Sequence, residues 1–188
     1  MTSRGLGSPL AVVVLGMLAE EPMHPYGMRQ RVSERAYDRL PGVRASSLYD
    51  IVGRLASADL IRADEPIRDG NRPERTRYSI TTAGRESLTS WVETTLADDA
   101  DADGLPAALS FMYSLGRDRV VALLTGRADR LTVALSADED ELARSSQHGA
   151  APIFLSEHRY LLARRRAERD WVSAFVSDLD EGDLRWPT

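Results

Sequence analysis

The sequence contains no cysteine and no lysine, and only 6% of its 188 residues are aromatic. Without a thiol, the chain has neither a disulfide framework nor a thiolate metal site. Hydrophobic residues still make up 43% of the chain, which is enough for an aliphatic core in one long domain or two short ones. The longest apolar stretch, residues 10–19, is about half as long as a membrane-spanning helix, and no leader pattern precedes it. We therefore expect a soluble, cytoplasmic protein.

The charges are unevenly distributed along the chain. The formal net charge is −5, from 24 arginines and 29 acidic residues. Residues 1–90 hold 13 arginines and 11 acidic residues, a net of +2, whereas residues 91–188 hold 11 arginines and 18 acidic residues, a net of −7. Because a polyanion such as nucleic acid is attracted by local positive charge, any contact with it is expected in the first half.

Apolar spacing predicts three helices in the first 60 residues. Ser8 is expected to cap a buried helix that has Pro9 at its first position and continues through residues 10–19. Apolar residues at every fourth position predict a second, amphipathic helix over residues 28–40. The third helix is expected to have its apolar face at Leu48, Ile51, Val52 and Leu55.

Between residues 61 and 80 the apolar spacing changes to two, which is typical of strands. Residues 61–67 and 78–80 are expected to form two strands, joined by a turn at the Asp-Gly-Asn of residues 69–71. Thr81 or Thr82 is then expected to cap a fourth helix. The expected order is therefore three helices, a hairpin and another helix.

The acidic run at residues 98–104 is the expected linker between two domains, residues 1–97 and residues 105–188. The second domain is predicted to be helical, with a short helix followed by long ones over residues 118–145 and 153–179. In the last helix, two sets of apolar residues recur at multiples of seven: Phe154, Leu161 and Phe175, and Leu155, Leu162 and Val176. A two-helix hairpin cannot bury both faces by itself, so a partner surface, and with it a homodimer, is expected.

Three helices followed by a two-stranded hairpin are typical of the winged helix-turn-helix, a mainly α fold with a small β-hairpin. In that fold the third helix enters the major groove of DNA, and the hairpin, called the wing, reaches the backbone or the minor groove. Arg68, Arg72, Arg75 and Arg77 surround the turn of the expected hairpin, where cations can contact phosphates. The alternative is a solvated turn that happens to be rich in arginine.

Three segments, "PMHPYGM", "SSLYDIVGRLASADLI" and "RYSITTAGRESL", are similar in order and spacing to those of the PadR family of transcriptional regulators. The resemblance covers residues 10–96, and the helical remainder is similar to the dimerisation tail of the longer members. It implies a repressor that binds double-stranded DNA. The homodimer expected from the apolar faces would bind a pseudo-palindromic operator, because a two-fold protein meets two half-sites. No cofactor is expected. The resemblance also implies release of DNA when a small, often aromatic effector binds near the dimer interface.

At two positions the third helix departs from the family pattern. Ser46 stands where members often have glycine, and Asp50 stands where they often have proline or a basic residue. Asp50 could accept a hydrogen bond from a cytosine amino group, or it could be a solvated charge near the helix N-terminus. The operator sequence therefore cannot be carried over from the family.

A rotation of 100° per residue places Ser46, Tyr49, Asp50 and Gly53 on the outward face of the third helix, which Ser46 or Ser47 is expected to cap. Tyr49 is the strongest candidate for a phosphate or base-edge contact, and the alternative is that it packs under the wing. Arg44 and Arg54 are candidates for phosphate contacts or for surface ion pairs. The full set of expected DNA-binding residues is Tyr26, Arg44, Ser46, Ser47, Tyr49, Asp50, Arg54, Arg72, Arg75 and Arg77.

Five aromatic residues are candidates for the lining of an effector pocket: Trp91, Phe111, Tyr113, Phe154 and Trp171. The alternative is that each one packs in a core or interface, as large aromatic residues at helical spacing usually do.

We do not expect an enzyme, because the sequence lacks a glycine-rich phosphate loop and the common hydrolase and metalloprotease motifs. Ser156, Glu157 and His158 are adjacent on a predicted helix and so point to different faces, which excludes a triad from these three. No metal site is expected either. The rival to a DNA-binding regulator is a winged-helix module that contacts only proteins, and the acidic Asp50 favours that alternative slightly.

Overall fold

The computed structural model describes residue 6, residues 8–64 and residues 76–186. Within these ranges the chain is mainly α with one antiparallel two-stranded hairpin, which confirms the predicted fold class. The helices and strands are α1 (Pro9–Glu20), α2 (Pro25–Glu34), α3 (Leu48–Ser57), β1 (Ile61–Ala63), β2 (Tyr78–Ile80), α4 (Thr82–Ala97), α5 (Leu105–Phe111), α6 (Arg117–Gln147) and α7 (Ser156–Glu181). Among these described helices none is long and apolar enough to cross a membrane.

The chain divides into two compact units. The N-terminal unit comprises Met1–Thr95 and Asp101–Ser114, and the C-terminal unit comprises Leu96–Ala100 and Leu115–Thr188. This division differs from the expected domain ranges 1–97 and 105–188 because α5 packs against α1 and so belongs to the N-terminal unit. The acidic linker over residues 98–104 remains a prediction.

Helix α1 forms the centre of the N-terminal unit. Every residue from Leu10 to Leu18 is buried, and α2, α3, α5 and β2 all pack against the helix. A helix that is covered on all sides needs apolar residues on all sides, which explains why its sequence shows almost no amphipathic pattern. Ser8 lies at the N-cap and Pro9 at the first helical position, as predicted, although the Ser8 side chain makes no capping hydrogen bond.

Helix α2 is shorter than its apolar spacing indicates. It ends at Glu34, so the prediction of one helix that continues to residue 40 is wrong. Ala36 adopts the left-handed conformation, with a φ of 55°, and the chain continues as a 3₁₀ turn over Tyr37–Arg39. The left-handed backbone at Ala36 interrupts the helical hydrogen bonds. The helix therefore ends before the four-residue apolar spacing does.

The hairpin pairs Ile61 with Ile80 and Ala63 with Tyr78. Beyond β1 the backbone N–H of Asp64 donates to the carbonyl oxygen of Arg77, at 2.9 Å. The rest of the predicted hairpin, with the turn at residues 69–71, lies outside the described residues.

Thr81 ties α4 to the base of the hairpin. Its hydroxyl donates to the carbonyl oxygens of Asp59 and Leu60, at 2.8 and 3.0 Å, and accepts from the backbone N–H of Gly84 at 3.0 Å. The predicted threonine cap is therefore confirmed at Thr81. Gly84 is required here because a β-carbon would overlap the Leu60 carbonyl and lie 2.8 Å from the Ile80 side chain.

In the C-terminal unit, α6 and α7 pack against each other as an antiparallel hairpin. The buried aliphatic residues of this hairpin are Val120, Leu124, Leu131 and Leu135 on α6, and Leu162, Val172 and Leu179 on α7. A charged residue, Arg127, lies fully buried among them. Its guanidinium bonds Glu168 of α7 through Nε, at 2.8 Å, and through Nη2, at 2.6 Å, and Nη1 donates to the carbonyl oxygen of Asp98.

Glu20, at the end of α1, joins α2 to the turn that follows α5. Its carboxylate accepts from both terminal nitrogens of Arg35, at 2.6 and 2.7 Å, and the Tyr113 hydroxyl donates to it at 3.3 Å. The hydrogen bond from Arg35 lowers the pKa of the Glu20 carboxyl below its ordinary value. Burial, together with the nearby Glu20 charge, raises the pKa of Tyr113 to about 12.

We expect this network to contribute stability that depends on pH. Because the pKa of Glu20 is lower in the folded chain than the 4.5 of an unperturbed carboxyl, its contribution is present above pH 4.5 and is lost as the pH falls through the folded value. Glu20→Gln should therefore lower the urea midpoint more at pH 7 than at pH 3. An equal loss at both values would mean that charge plays no part. Exposure to solvent keeps the effect small.

Candidate nucleic-acid interface

Helix α3 has one buried face and one exposed face, as the 100° rotation predicts. Its buried face consists of Leu48, Ile51, Val52 and Leu55. The exposed face consists of Tyr49, Asp50, Gly53, Arg54 and Ser57, and Tyr49 is 56% exposed. Tyr49 therefore does not pack into the core of the described chain. Ser47 lies at the N-cap, one of the two predicted positions, although its side chain makes no capping hydrogen bond.

Two concave surfaces border α3. A shallow depression of about 640 Å³ lies over the exposed face and is lined by Tyr49, Asp50, Gly53, Arg54, Ser57 and Ala58. A pocket of about 330 Å³ lies near the N-terminus of α3 and is lined by Ser8, Leu10, Gly42, Arg44, Ser47, Asp50, Ile51 and Arg54. The structure thus brings together the expected contacts Arg44, Ser47, Asp50 and Arg54. Two arginines, Arg44 and Arg54, and one acidic residue, Asp50, therefore line the same pocket.

The other expected DNA contacts are more scattered. Tyr26 is 63% exposed on the first turn of α2, and Ser46 is exposed on the 3₁₀ turn that leads into α3. Arg77 is half-buried and donates to the carbonyl oxygen of Pro22 at 3.1 Å, so its side chain is bonded to the protein surface. Arg72 and Arg75 lie outside the described residues.

Two features of this region were not predicted. Arg62 is exposed on β1, opposite Ser79 of β2. The apolar period of two in this segment places Arg62 on the strand face opposite Ile61. This pattern could have identified Arg62 as an exposed residue. In addition, Met23, between α1 and α2, pairs with Tyr78 as an isolated β-bridge. A single residue that pairs beside a strand leaves no periodic signal in a sequence.

The five candidate effector residues are divided between the two units. Phe111 is buried in the N-terminal unit, with its ring centroid 5.6 Å from that of Tyr37 and 6.4 Å from that of Tyr113. Trp91 lines a separate pocket of about 310 Å³ in the same unit. Phe154 and Trp171 are exposed on the C-terminal unit, where Trp171 stacks on Phe175 at 5.0 Å.

Phe111 and Tyr113 are thus neighbours, Trp91 lines a separate pocket, and Phe154 and Trp171 belong to the other unit. A common effector pocket for the five residues remains a prediction. Among residues 8–64 and 76–186 there is no cluster of histidine and acidic residues that could hold a metal ion.

Three helices followed by a two-stranded antiparallel hairpin, with one exposed face on α3, define a fold of the winged helix-turn-helix class. Residues 14–90 match the model of the transcriptional regulator PadR-like family. The family match lies within the N-terminal unit and includes both α3 and the hairpin.

Several solved structures are similar to the chain. Bacillus subtilis PadR in complex with operator DNA is 18% identical, with 90% of this chain and 98% of that chain covered and a TM-score of 0.40. The PadR-like transcriptional regulator BC1756 from Bacillus cereus is 14% identical, with 92% and 98% covered and a TM-score of 0.40. Bacillus subtilis PadR in complex with p-coumaric acid is 17% identical, with 92% and 99% covered and a TM-score of 0.38. Comparison with curated protein sequences gave no match.

Proposed function

We propose that the protein is a homodimeric repressor that binds a pseudo-palindromic operator through α3 and the hairpin. The observation that carries this proposal is the exposed face of α3 beside the pocket that Arg44 and Arg54 share. A helix with one buried face and one polar, partly aromatic face can lie in the major groove while the arginines beside it hold the phosphates.

Local charge supports the same assignment although the chain is acidic. Arg44, Arg54 and Arg62 are all exposed in the N-terminal unit, close in sequence to the exposed residues of α3. Salt confines the field of the acidic residues elsewhere to about 10 Å, so the net charge of −5 does not prevent binding to DNA.

An exposed apolar surface on the C-terminal unit supports the homodimer. Ile153 is 73% exposed and Phe154 is 83% exposed, just before α7, and further along α7 lie the exposed residues Tyr160, Leu161 and Trp171. Other residues of the helix, Leu162, Val172 and Leu179, are already buried where α7 packs on α6. A second copy could cover the exposed side with the same residues, since a two-fold interface uses one patch twice.

We also propose that a small aromatic effector weakens DNA binding, which follows from the family resemblance and from the exposed aromatic residues Tyr113 and Trp171. By thermodynamic reciprocity, DNA and the effector must weaken each other's binding by the same factor.

The second candidate function is a winged-helix module that contacts only proteins. Asp50, exposed in the first turn of α3, is the observation that favours it, because a carboxylate there repels phosphates. Selection from a pool of random DNA duplexes separates the two functions. We expect recovery of a pseudo-palindrome with half-sites spaced by about 10 bp or a multiple of that distance. Recovery of no sequence above background would favour the protein-binding module.

Substitutions should separate the residues that read sequence from those that hold phosphate. We expect Tyr49→Ala to weaken binding to the selected operator more than binding to random DNA, by about 5-fold or more. Arg44→Ala should weaken both alike and lower the slope of log affinity against log salt by about one. Titration by fluorescence anisotropy at several salt concentrations measures both effects. Equal losses on the two DNAs for Tyr49→Ala would make Tyr49 a positioning residue.

Substitutions that introduce a charge into the exposed apolar surface of α7 test the proposed dimer. Leu161→Glu and Trp171→Glu should convert a dimer into a monomer at micromolar concentration, because each buries an unpaired carboxylate in the interface. Sedimentation velocity measures the change. Ser173→Glu, which adds the same charge at another exposed position of α7, is the matched control and should leave the dimer intact. A wild-type chain that sediments as a monomer would contradict the dimer.

A further inference from the structure

Gly53 occupies a position in α3 where the fold does not need a glycine. It lies in the helix interior with helical neighbours on both sides, and a β-carbon built there would meet no atom within 4 Å. Glycine in the interior of a helix is less stable than alanine because it loses more backbone entropy on folding. Packing therefore does not explain this residue, unlike Gly84, where a β-carbon would overlap its neighbours.

The surroundings of Gly53 form the base of the depression over α3. One helical turn before it lies Tyr49, one turn after it lies Ser57, and Ala58 completes that side of the depression. The Ser57 hydroxyl donates to the carbonyl oxygen of Gly53 at 2.9 Å, so this oxygen is already bonded within the helix. The position over Gly53 therefore has space for a small group, while Asp50 and Arg54 also line the depression.

The dimensions of DNA indicate what this space is for. An α-helix with its side chains is about 10–12 Å across, and the major groove is about 12 Å wide, so the groove admits a helix with little clearance. Where a side chain is missing, the helix backbone can approach the edges of the bases more closely. Among the four bases only thymine projects a methyl group into the major groove.

We propose that Gly53 is a specificity-determining residue that reads a thymine by shape. In this proposal, which rests on the DNA-binding function proposed above, the C5-methyl group of one operator thymine sits over the Gly53 backbone, between the side chains of Tyr49 and Ser57. The Tyr49 ring provides an apolar contact for the methyl group, and the lack of a side chain at Gly53 leaves the space for it.

The first part of the test compares Gly53→Ala with the wild-type protein on the operator obtained by selection. We expect the alanine variant to unfold at a Tm higher by about 1–4 °C, because its helix is more stable. Its affinity for the operator should fall by about 10-fold or more, because the added methyl group occupies the space of the thymine methyl. Gly126→Ala in α6 is the matched control, since a β-carbon there meets only the flexible end of Arg130, at 3.3 Å. The control should show no loss of DNA affinity.

The second part replaces each operator thymine by uracil, one position at a time, which removes only the methyl group. At one position per half-site the wild-type protein should lose about 4-fold in affinity, the equivalent of about 0.8 kcal/mol for one buried methyl group. Gly53→Ala should not distinguish thymine from uracil at that position.

The two proposals fail differently in these experiments. Equal operator affinity for the wild type and Gly53→Ala, or the absence of a uracil-sensitive position, would overturn the role of Gly53 and leave the DNA-binding function intact. Failure of the wild-type protein to select any sequence would overturn the DNA-binding function, and the role of Gly53 with it.

Discussion

Phe111→Ala is expected to lower the free energy of unfolding of the N-terminal unit by about 3–5 kcal/mol. The ring is 1% exposed, lies against α1 at Gly16 and contacts the ring of Tyr37. Its removal loses the buried apolar area and leaves a cavity that the surrounding helices can fill only in part. Urea denaturation, followed by near-ultraviolet circular dichroism, measures the loss.

Gly16→Ala should disturb the same contact from the other side. A β-carbon at Gly16 would lie 2.6 Å from Cζ of Phe111 and closer still to other atoms of the ring. Because the ring then has to move, we expect a loss of about 1–3 kcal/mol. The double variant should lose less than the sum of the two single losses, since alanine at residue 111 removes the overlap. Gly27→Ala, where a β-carbon meets nothing within 4 Å, is the control and should not destabilise the protein. Additive losses would contradict direct contact between the two residues.

Arg127→Ala is expected to cost the C-terminal unit about 3–5 kcal/mol. The arginine is fully buried, whereas the Glu168 side chain is 16% exposed. Without the guanidinium, the Glu168 carboxylate loses its cationic partner and the Asp98 carbonyl oxygen loses a donor. Chemical denaturation monitored by far-ultraviolet circular dichroism measures the loss.

A double replacement separates the net contribution of the ion pair to stability from the loss of stability that follows when one partner is removed. Arg127→Met combined with Glu168→Leu should recover most of the stability, because two apolar side chains leave no charge unpaired. Arg144→Ala, which breaks the exposed pair with Glu141, should produce no measurable change. If the double replacement is as unstable as Arg127→Ala, the loss comes from packing and not from the unpaired carboxylate.

Most helices could be predicted from the sequence because the residues on the buried face of a helix are apolar and recur every three or four positions. The faces of α3, α6 and α7 follow this spacing, and Thr81 was identified as a cap. The end of α2 could not be predicted, since the left-handed conformation of Ala36 has no marker such as glycine. The position of α5 could not be predicted either. Phe111 of α5 packs against Gly16 of α1, and a glycine in an apolar run does not indicate which side chain will pack against it.

The candidate site was predictable in part. The exposed face of α3 follows directly from helical geometry, and so does the exposure of Tyr49. Arg127 was missed because a charge is usually solvated, although its spacing of three from Leu124 and four from Leu131 matches the buried face of α6. The bond from Arg77 to Pro22 was not predictable, because it joins residues that are distant in the sequence.

The bridge between Met23 and Tyr78 has a consequence for hydrogen exchange. The two residues exchange backbone hydrogen bonds, with the Met23 N–H donating at 3.1 Å and the Tyr78 N–H at 3.0 Å. Neither amide can reach solvent deuterium until the segment between α1 and α2 separates from β2. The two amides should therefore show the same protection factor, because one opening event exposes both. Hydrogen exchange measured amide by amide tests this expectation.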